Sequence, residues 1–199
     1  SLGDEFFEKV SECKVNRLSI GLQSANDGER RILGRRAGKS EVQSVVSRAK
    51  KAGINNISLD VMLGVPGQTK ESLKSTLDFC ISSGVPHLSC YILKIEENTP
   101  FFRMRDKLPF PSDDDTADMY LFMCEYLEEH GIMQYEISNF AVPGFESRHN
   151  LKYWHDEEYL GIGASAHSFL GGKRTYYPRD IEYFISGNER LTEGDGGDE

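Results

Sequence analysis

The stretch Asn56–Thr69 (NISLDVMLGVPGQT) decides the fold of this chain. It begins with an apolar run rich in β-branched residues, from Ile57 to Leu63, and continues through a Gly-Val-Pro-Gly turn into a helical pattern after Thr69. A strand, a tight turn and a helix in this order form the repeating unit of a parallel α/β fold. The sequence therefore predicts an α/β protein built on a parallel sheet.

Two further strand patterns, Val15–Gln23 and Leu88–Ile95, lie on either side of this stretch. Together with the helical patterns between them they predict three βα units in about the first half of the chain. A complete α/β barrel normally starts with a strand, whereas this chain enters its first strand from a helix over residues 4–13. We therefore expect the chain to represent the middle of a fold.

The second half of the chain does not continue the regular alternation of strand and helix patterns. The patterns predict a loop at 97–111, a helix from Ser112 to His130, a strand at 133–140, an irregular segment at 141–155, a glycine-rich strand at 160–170, a hairpin turn at Gly171-Gly172 and a short helix near 178–187. The acidic residues at 113–115 suit the positive end of a helix dipole, so we assign them to a helix start and predict no metal site.

The composition limits the possible partners. A net charge of −9 over 199 residues argues against a nucleic-acid or anionic-membrane partner, and no apolar run approaches the about 20 residues of a membrane span. The four cysteines are scattered without a CxxC-type cluster, which predicts reduced core residues in a reducing compartment. We expect a cytoplasmic protein, or one of a reducing organelle.

Asp60 interrupts the apolar run of the second strand, where an ionised carboxylate is costly unless it is paired. It either forms a salt bridge or lies on a wetter face, or it faces a ligand near the C-terminal mouth of a barrel strand. Gln23 ends the first strand and Arg35 lies in the turn after it. The three side chains together suit a ribose and a carboxylate-bearing ligand, although Gln23 equally suits a strand end and Arg35 a solvated surface.

A second group of polar and aromatic residues lies in the predicted irregular segment: His149, Asn150, Tyr153 and Trp154. An imidazole and aromatic rings can ligate or stack on a planar cofactor; the alternative is a loop in which the rings are packing anchors. His167 stands alone in the small-residue stretch GIGASAHSF, where a satisfied core histidine is the simpler interpretation.

Several long motifs resemble a known family. The segments VNRLSIGLQSAND, ISLDVMLGVPGQT, QYEISNFAVPGFESRHNLKYW and YLGIGASAHS occur in the order found in the oxygen-independent coproporphyrinogen oxidase-like radical SAM family. The chain is most similar to the HemW haem-chaperone branch, and the resemblance covers residues 15–184. It implies the C-terminal half of a partial (β/α)6 barrel, followed by extra strands and the start of a smaller C-terminal region.

The resemblance also implies ligands and their contacts. The family holds S-adenosylmethionine on a [4Fe–4S] cluster, and Gln23, Arg35 and Asp60 occupy positions of S-adenosylmethionine contacts. His167 occupies the position of a further such contact in the oxidase branch. In the HemW branch the HNxxYW pattern is associated with haem, which makes His149, Asn150, Tyr153 and Trp154 candidates for a haem site.

The family's CxxxCxxC cluster motif does not occur in this sequence. By the family's order of motifs we expect the chain to start about halfway round the barrel and to pair with a missing half or with other copies. The implied domains are a partial barrel over 1–111, a helix with antiparallel strands over 112–187, and an acidic flexible tail over 188–199.

The leading functional hypothesis is part of a HemW-like protein that binds S-adenosylmethionine and haem, delivers haem to a recipient protein and does not catalyse by itself. One alternative is an oxygen-independent coproporphyrinogen III dehydrogenase, which uses a radical to decarboxylate propionate side chains oxidatively. The other is a truncated remnant without a ligand. The chain reads YILKIEENT after the third strand, which differs from the substrate-side pattern of the oxidase branch.

Overall fold

The computed structural model describes residues 3–193 of the chain. The chain divides into two compact units, Ser1–Glu146 and Ser147–Glu199. This boundary differs from the predicted ones at 111/112 and 187/188, because the helix and hairpin after residue 111 pack with the parallel strands. Each unit is described separately.

The first unit opens with the three predicted βα units. Its elements are α1 (Asp4–Glu12), β1 (Arg17–Gln23), α2 (Asp27–Ile32), α3 (Lys39–Lys51), β2 (Asn56–Leu63), α4 (Lys70–Ser82) and β3 (His87–Ile92). The strands β1, β2 and β3 are parallel and adjacent. The parallel α/β architecture predicted from Asn56–Thr69 is confirmed.

The remainder of the first unit extends this sheet with antiparallel strands. It contains α5 (Pro100–Met104), a short 3₁₀ helix (Arg105–Lys107), α6 (Asp113–Glu129), β4 (Met133–Glu136) and β5 (Asn139–Ala141). The sheet has the order β1-β2-β3-β5-β4, in which β5 runs antiparallel to both β3 and β4. As predicted, the acidic run begins a helix, since Ser112 caps α6 by accepting a hydrogen bond from the Asp115 N–H.

The core of the first unit lies on one face of this sheet. Successive side chains of a strand point to opposite faces, and the four residues of β2 on the core face are completely buried: Ile57, Leu59, Val61 and Leu63. Helices α4 and α6 contribute Leu77, Met123 and Leu127 to the same cluster. The other face of β2 carries Ser58, Asp60 and Met62, so the sheet has one apolar face and one polar face.

The second unit is a small three-stranded antiparallel sheet with two short helices. Its elements are α7 (Arg148–Trp154), β6 (His167–Leu170), β7 (Lys173–Tyr176), α8 (Ile181–Ile185) and β8 (Leu191–Thr192), with strand order β6-β7-β8. The predicted hairpin at Gly171-Gly172 is confirmed, since β6 and β7 pair on either side of it.

The structure differs from the sequence interpretation at two helices. The predicted loop at 97–111 contains α5, which Thr99 caps and which Pro100 begins at a position where proline is favoured. The predicted irregular segment at 141–155 contains α7, whose cap is Ser147. Both helices are too short for the hydrophobic periodicity that indicates a helix.

The predicted strands and tail also differ from the structure. The strand predicted at 133–140 is the hairpin β4–β5, and the one predicted at 160–170 forms only from His167, because Gly163 (φ 114°) and Ser165 (φ 62°) interrupt the extended backbone. Part of the predicted tail pairs as β8 with β7; residues 194–199 of that tail lie outside the described residues. Among residues 3–193 no helix has the length and apolar character needed to span a bilayer.

We predict that Leu77→Ala lowers the free energy of unfolding by about 3 kcal/mol, because it leaves a cavity in a completely buried part of the core. Leu121→Ala is the matched control, since Leu121 is 59% exposed on α6, and its effect should stay within about 0.5 kcal/mol. Urea denaturation measures both values. Equal losses in the two variants would contradict the assignment of the core face.

Candidate functional site

The polar face of the five-stranded sheet carries a continuous set of hydrogen-bonding side chains, which we call the polar sheet face: Ser19, Ser58, Asp60, His87, Ser89, Glu136 and Asn139. Strand register aligns them in two rows. One row crosses all five strands from Gly21 through Asp60, Ser89 and Asn139 to Glu136, and the neighbouring row contains Ser19, Ser58 and His87. The register thus places the predicted residue Asp60 in the middle of a polar surface.

Asp60 is partly buried and accepts a 2.9 Å hydrogen bond from the Ser19 hydroxyl at Oδ1. Burial raises the pKa of Asp60, and the Ser19 hydroxyl and the charge of Arg17 only partly oppose this shift. A carboxylate short of compensating partners is suited to accept hydrogen bonds from a ligand. Asp60 therefore lies on the wetter face of the sheet and is bonded to a serine rather than to an arginine or lysine.

Gln23 lies close to the same point of the sheet. The register shifts between Gly21 and Gln23, and Gln23 has a left-handed backbone (φ 66°). Its side-chain Nε2 lies only 2.8 Å from the position that a Cβ on Gly21 would occupy, and Gly21 pairs with Asp60. The amide of Gln23 therefore fills space that the glycine leaves open next to Asp60.

Arg35 is not brought into contact with this pair. It follows α2 in an exposed turn, where its N–H donates to the Arg30 carbonyl (2.8 Å). Its side chain forms no hydrogen bond or ion pair with another residue between 3 and 193. It lines a cavity of about 250 Å³ whose other charged residues are Arg30, Arg31, Arg36, Asp27 and Glu41. The structure thus places the Gln23 amide beside Gly21, the strand partner of Asp60, whereas Arg35 has no described contact with either residue.

His87 is a functional candidate that the sequence interpretation missed. The imidazole is completely buried and bonded at both nitrogens, to the Ser58 hydroxyl at Nδ1 (2.8 Å) and to the Tyr135 hydroxyl at Nε2 (2.8 Å). Burial, aided by the charge of Arg17, lowers the pKa of His87 to about 3. The imidazole is therefore neutral at physiological pH.

The hydrogen bonds from Tyr135 through His87 to Glu136 form a chain in which each group donates to the next. The Asn139 amide donates to the Glu136 carboxylate, so its Oδ1 accepts from the Ser89 hydroxyl (2.7 Å). Ser89 has then used its proton and accepts from Ser58 (3.3 Å). Ser58 in turn accepts from Nδ1–H of His87, and Nε2 accepts from Tyr135. In the sequence, the only signal of this hydrogen-bonded chain is the alternation of polar residues in His87-Leu88-Ser89 and Asn56-Ile57-Ser58. Such alternation does not show which strands pair.

The turn after β2 is held by buried polar side chains. The Gln68 side chain accepts from the Gly64 N–H (2.8 Å) and donates to the Met62 carbonyl (3.0 Å) and to the buried Glu29 (3.3 Å). Glu29 also accepts from the Ser72 hydroxyl (2.5 Å). These bonds join α2, the turn and the start of α4, so the C-terminal end of β2 is rigidly positioned.

The second unit holds the other candidate residues. On α7 the hydroxyl of Tyr153 lies 3.0 Å from Nε2 of His149, one helical turn away. Tyr153 also contacts the ring of Tyr159, with 4.5 Å between centroids. Trp154 is 53% exposed, so it is not a buried packing anchor. An exposed imidazole beside exposed aromatic rings is a donor set that fits haem iron and its ring.

His167 begins β6 and is exposed rather than part of a core. Its Nδ1 lies 2.9 Å from Oε1 of Glu193, and its ring stacks on Tyr176. The structure describes it within the second unit, and its assignment to S-adenosylmethionine stays a prediction.

The cysteines do not fit an iron–sulfur cluster. Cys80 and Cys90 are buried, and burial raises the pKa of both thiols, whereas Cys13 is exposed and not the core residue that its helical pattern predicted. Within residues 3–193 no three cysteine, histidine or carboxylate side chains converge as metal ligands. The described residues therefore do not supply the ligands of a [4Fe–4S] cluster.

We predict that Asp60→Asn stabilises the fold at neutral pH. The pKa of Asp60 is raised above 3.8 in the folded state, so its ionisation costs stability as the pH rises through the folded pKa. Asparagine removes this cost, and the gain should disappear as the pH falls to the unfolded value. Urea denaturation between pH 3 and 8 measures it, with the 92% exposed Asp106→Asn as control. A gain that persists at the lowest pH would contradict this origin.

Comparisons with known proteins agree with this architecture. The radical SAM superfamily profile matches residues 1–80. The heme chaperone HemW of Lactococcus lactis is 41% identical over 87% of this chain and 46% of its own, and that of Bacillus subtilis is 40% identical over 92% and 49%. The structure of coproporphyrinogen III oxidase (HemN) from Escherichia coli superposes with a TM-score of 0.80 at 20% identity, over 96% of this chain and 48% of that one.

The chain thus spans about half the length of the curated relatives it matches. The solved structure confirms the partial radical SAM barrel as the fold, and the relatives confirm the resemblance found in the motifs. Residues 1–80 thus match the radical SAM superfamily, and the homologues of the chain are HemW heme chaperones at about 40% identity.

Proposed function

We propose that this chain is part of a HemW-like protein that binds S-adenosylmethionine on the polar sheet face and haem at α7, and that it acts in haem delivery. The exposed imidazole of His149, displayed on α7 beside Tyr153, carries the haem part of this proposal. The names of the relatives, which are heme chaperones at about 40% identity, support the same function.

The polar sheet face suits the adenosyl part of S-adenosylmethionine. Asp60 can accept hydrogen bonds from a ribose hydroxyl pair, and the Gln23 amide next to it can donate or accept. Arg35 is free of described partners and suits the ligand's carboxylate. Asp60 and Gln23 would orient the nucleoside of this ligand, and the described residues include no ligand set for the family's cluster.

The α7 helix suits an iron porphyrin. His149 would exchange its bond with the Tyr153 hydroxyl for a bond to iron, since the imidazole nitrogen is the usual histidine ligand atom. Trp154 and Tyr153, which are 53% and 44% exposed, provide apolar ring surface for the macrocycle. Asn150, one turn before Trp154, adds an amide to this helix. The similarity to coproporphyrinogen oxidase concerns the fold alone and does not favour the dehydrogenase alternative.

We predict that His149→Ala weakens haem binding to this chain by at least about tenfold, because the iron loses its nitrogen ligand. Titration of the Soret absorbance measures the affinity. His155→Ala is the matched control, since His155 is exposed at the C-terminal cap of the same helix. Unchanged binding in His149→Ala, or an equal loss in both variants, would contradict the assignment.

We further predict that Asp60→Asn weakens S-adenosylmethionine binding by at least about tenfold, because a hydrogen bond to a charged acceptor contributes about 1.5–3 kcal/mol. Calorimetric titration measures the affinity, with Asp106→Asn as control. Since Asp60→Asn should also be the more stable protein at neutral pH, weaker binding cannot come from unfolding. Equal affinity of Asp60→Asn and the unmodified chain would remove Asp60 from the site.

A further inference from the structure

Arg190 lies between α8 and β8 and carries an unpaired buried donor. Its Nη2 donates to the Gly161 carbonyl (3.0 Å), and its guanidinium lies 5.1 Å from the centroid of the Tyr177 ring. Its Nε–H is buried, and no residue of 3–193 accepts a hydrogen bond from it; no other buried side-chain nitrogen or oxygen in this range lacks a partner. Such a donor is costly and requires an explanation.

The loop that Arg190 contacts is firmly held and presents apolar surface. A Cβ on Gly161 would lie 2.1 Å from the His167 carbonyl oxygen, so the backbone there tolerates only glycine. The Gly161 N–H donates to the completely buried hydroxyl of Ser168 (3.0 Å). The residues on either side, Leu160 and Ile162, are 56% and 78% exposed. A guanidinium is thus bonded to a rigid loop with exposed aliphatic side chains.

Ring contacts connect this loop to α7. Tyr159 precedes Leu160 in the chain, and its ring contacts Tyr153, which in turn contacts His149 with 5.1 Å between ring centroids. Tyr159 is fixed to Phe169 by two backbone hydrogen bonds of 2.9 Å. A row of rings therefore leads from the proposed haem ligand to the loop at which Arg190 is bound.

We infer that Arg190 binds a propionate carboxylate of the haem, an inference that rests on the proposed haem function. A guanidinium matches a carboxylate with two parallel N–H bonds, and pairing would satisfy the Nε–H. Because surrounding protein atoms bury this N–H, the Arg190 guanidinium has to rotate away from Gly161 to reach the carboxylate. It then exchanges the neutral Gly161 carbonyl for the charged propionate as its hydrogen-bond acceptor. Leu160 and Ile162 then provide apolar contact for the adjoining ring.

The test compares ferric haem with its dimethyl ester, in which both propionates are uncharged. Soret titrations use the full chain, Arg190→Gln, Arg190→Lys and the exposed control Arg179→Gln. Arg190→Gln should weaken haem binding about tenfold, equivalent to about 1.4 kcal/mol, and leave binding of the diester unchanged. Arg190→Lys retains the positive charge but not the pair of parallel N–H donors, so its haem affinity should lie between those of Arg190→Gln and the unmodified chain. His149→Ala should weaken both ligands.

Two results would overturn the inference while haem binding itself stands. Equal weakening of both ligands by Arg190→Gln would mean that Arg190 only holds the Gly161 loop, and unchanged haem affinity would mean that it does not contact a propionate. If Arg190→Gln fails to fold, Arg190→Lys provides the same comparison of the two ligands. Failure of the proposed function looks different, because the unmodified chain would then bind neither ligand saturably, and both proposals would be wrong.

Discussion

The structure of the first unit depends on the two-residue periodicity of β2. Its odd-numbered residues from Ile57 to Leu63 are completely buried on the helix-covered face, and burial of these aliphatic side chains is the main source of stability. Strand geometry then forces Ser58 and Asp60 onto the opposite face. Every polar group on that face must find a partner, which makes the polar sheet face a necessary consequence of the core.

The side chains of the polar sheet face meet this requirement through a chain of hydrogen bonds in which each group donates to the next. The Glu136 carboxylate determines the orientation of the Asn139 amide, and through two serine hydroxyls this determines the tautomer of His87. At the other end of this chain, the neutral imidazole of His87 accepts a hydrogen bond from the Tyr135 hydroxyl. Asp60, with one serine donor and a raised pKa, is less completely satisfied than its neighbours. A carboxylate whose oxygens still have free hydrogen-bonding capacity can accept hydrogen bonds from a ligand.

The structural features that the sequence could predict are those encoded locally. Apolar periodicity predicted β1, β2, β3 and the long helices, and Asp60 stood out because it interrupts an apolar run. The partners of His87 could not be predicted, because Ser58, Tyr135 and Asn139 meet only through strand register. The short helix α7 was missed for a different reason, since its start depends on one capping serine rather than on periodicity. The placement of His149 next to Tyr153 became visible only with that helix.

We propose above all that the polar sheet face binds a ligand at Asp60. The most direct test of this proposal is carboxyl ¹³C NMR of Asp60 as a function of pH, with and without S-adenosylmethionine, with Asp106 as the internal reference. We predict a raised pKa for Asp60 in the free protein, and a ligand-induced change in its carboxyl signal while that of Asp106 stays constant. An Asp60 that titrates normally and does not respond to S-adenosylmethionine would contradict the claim.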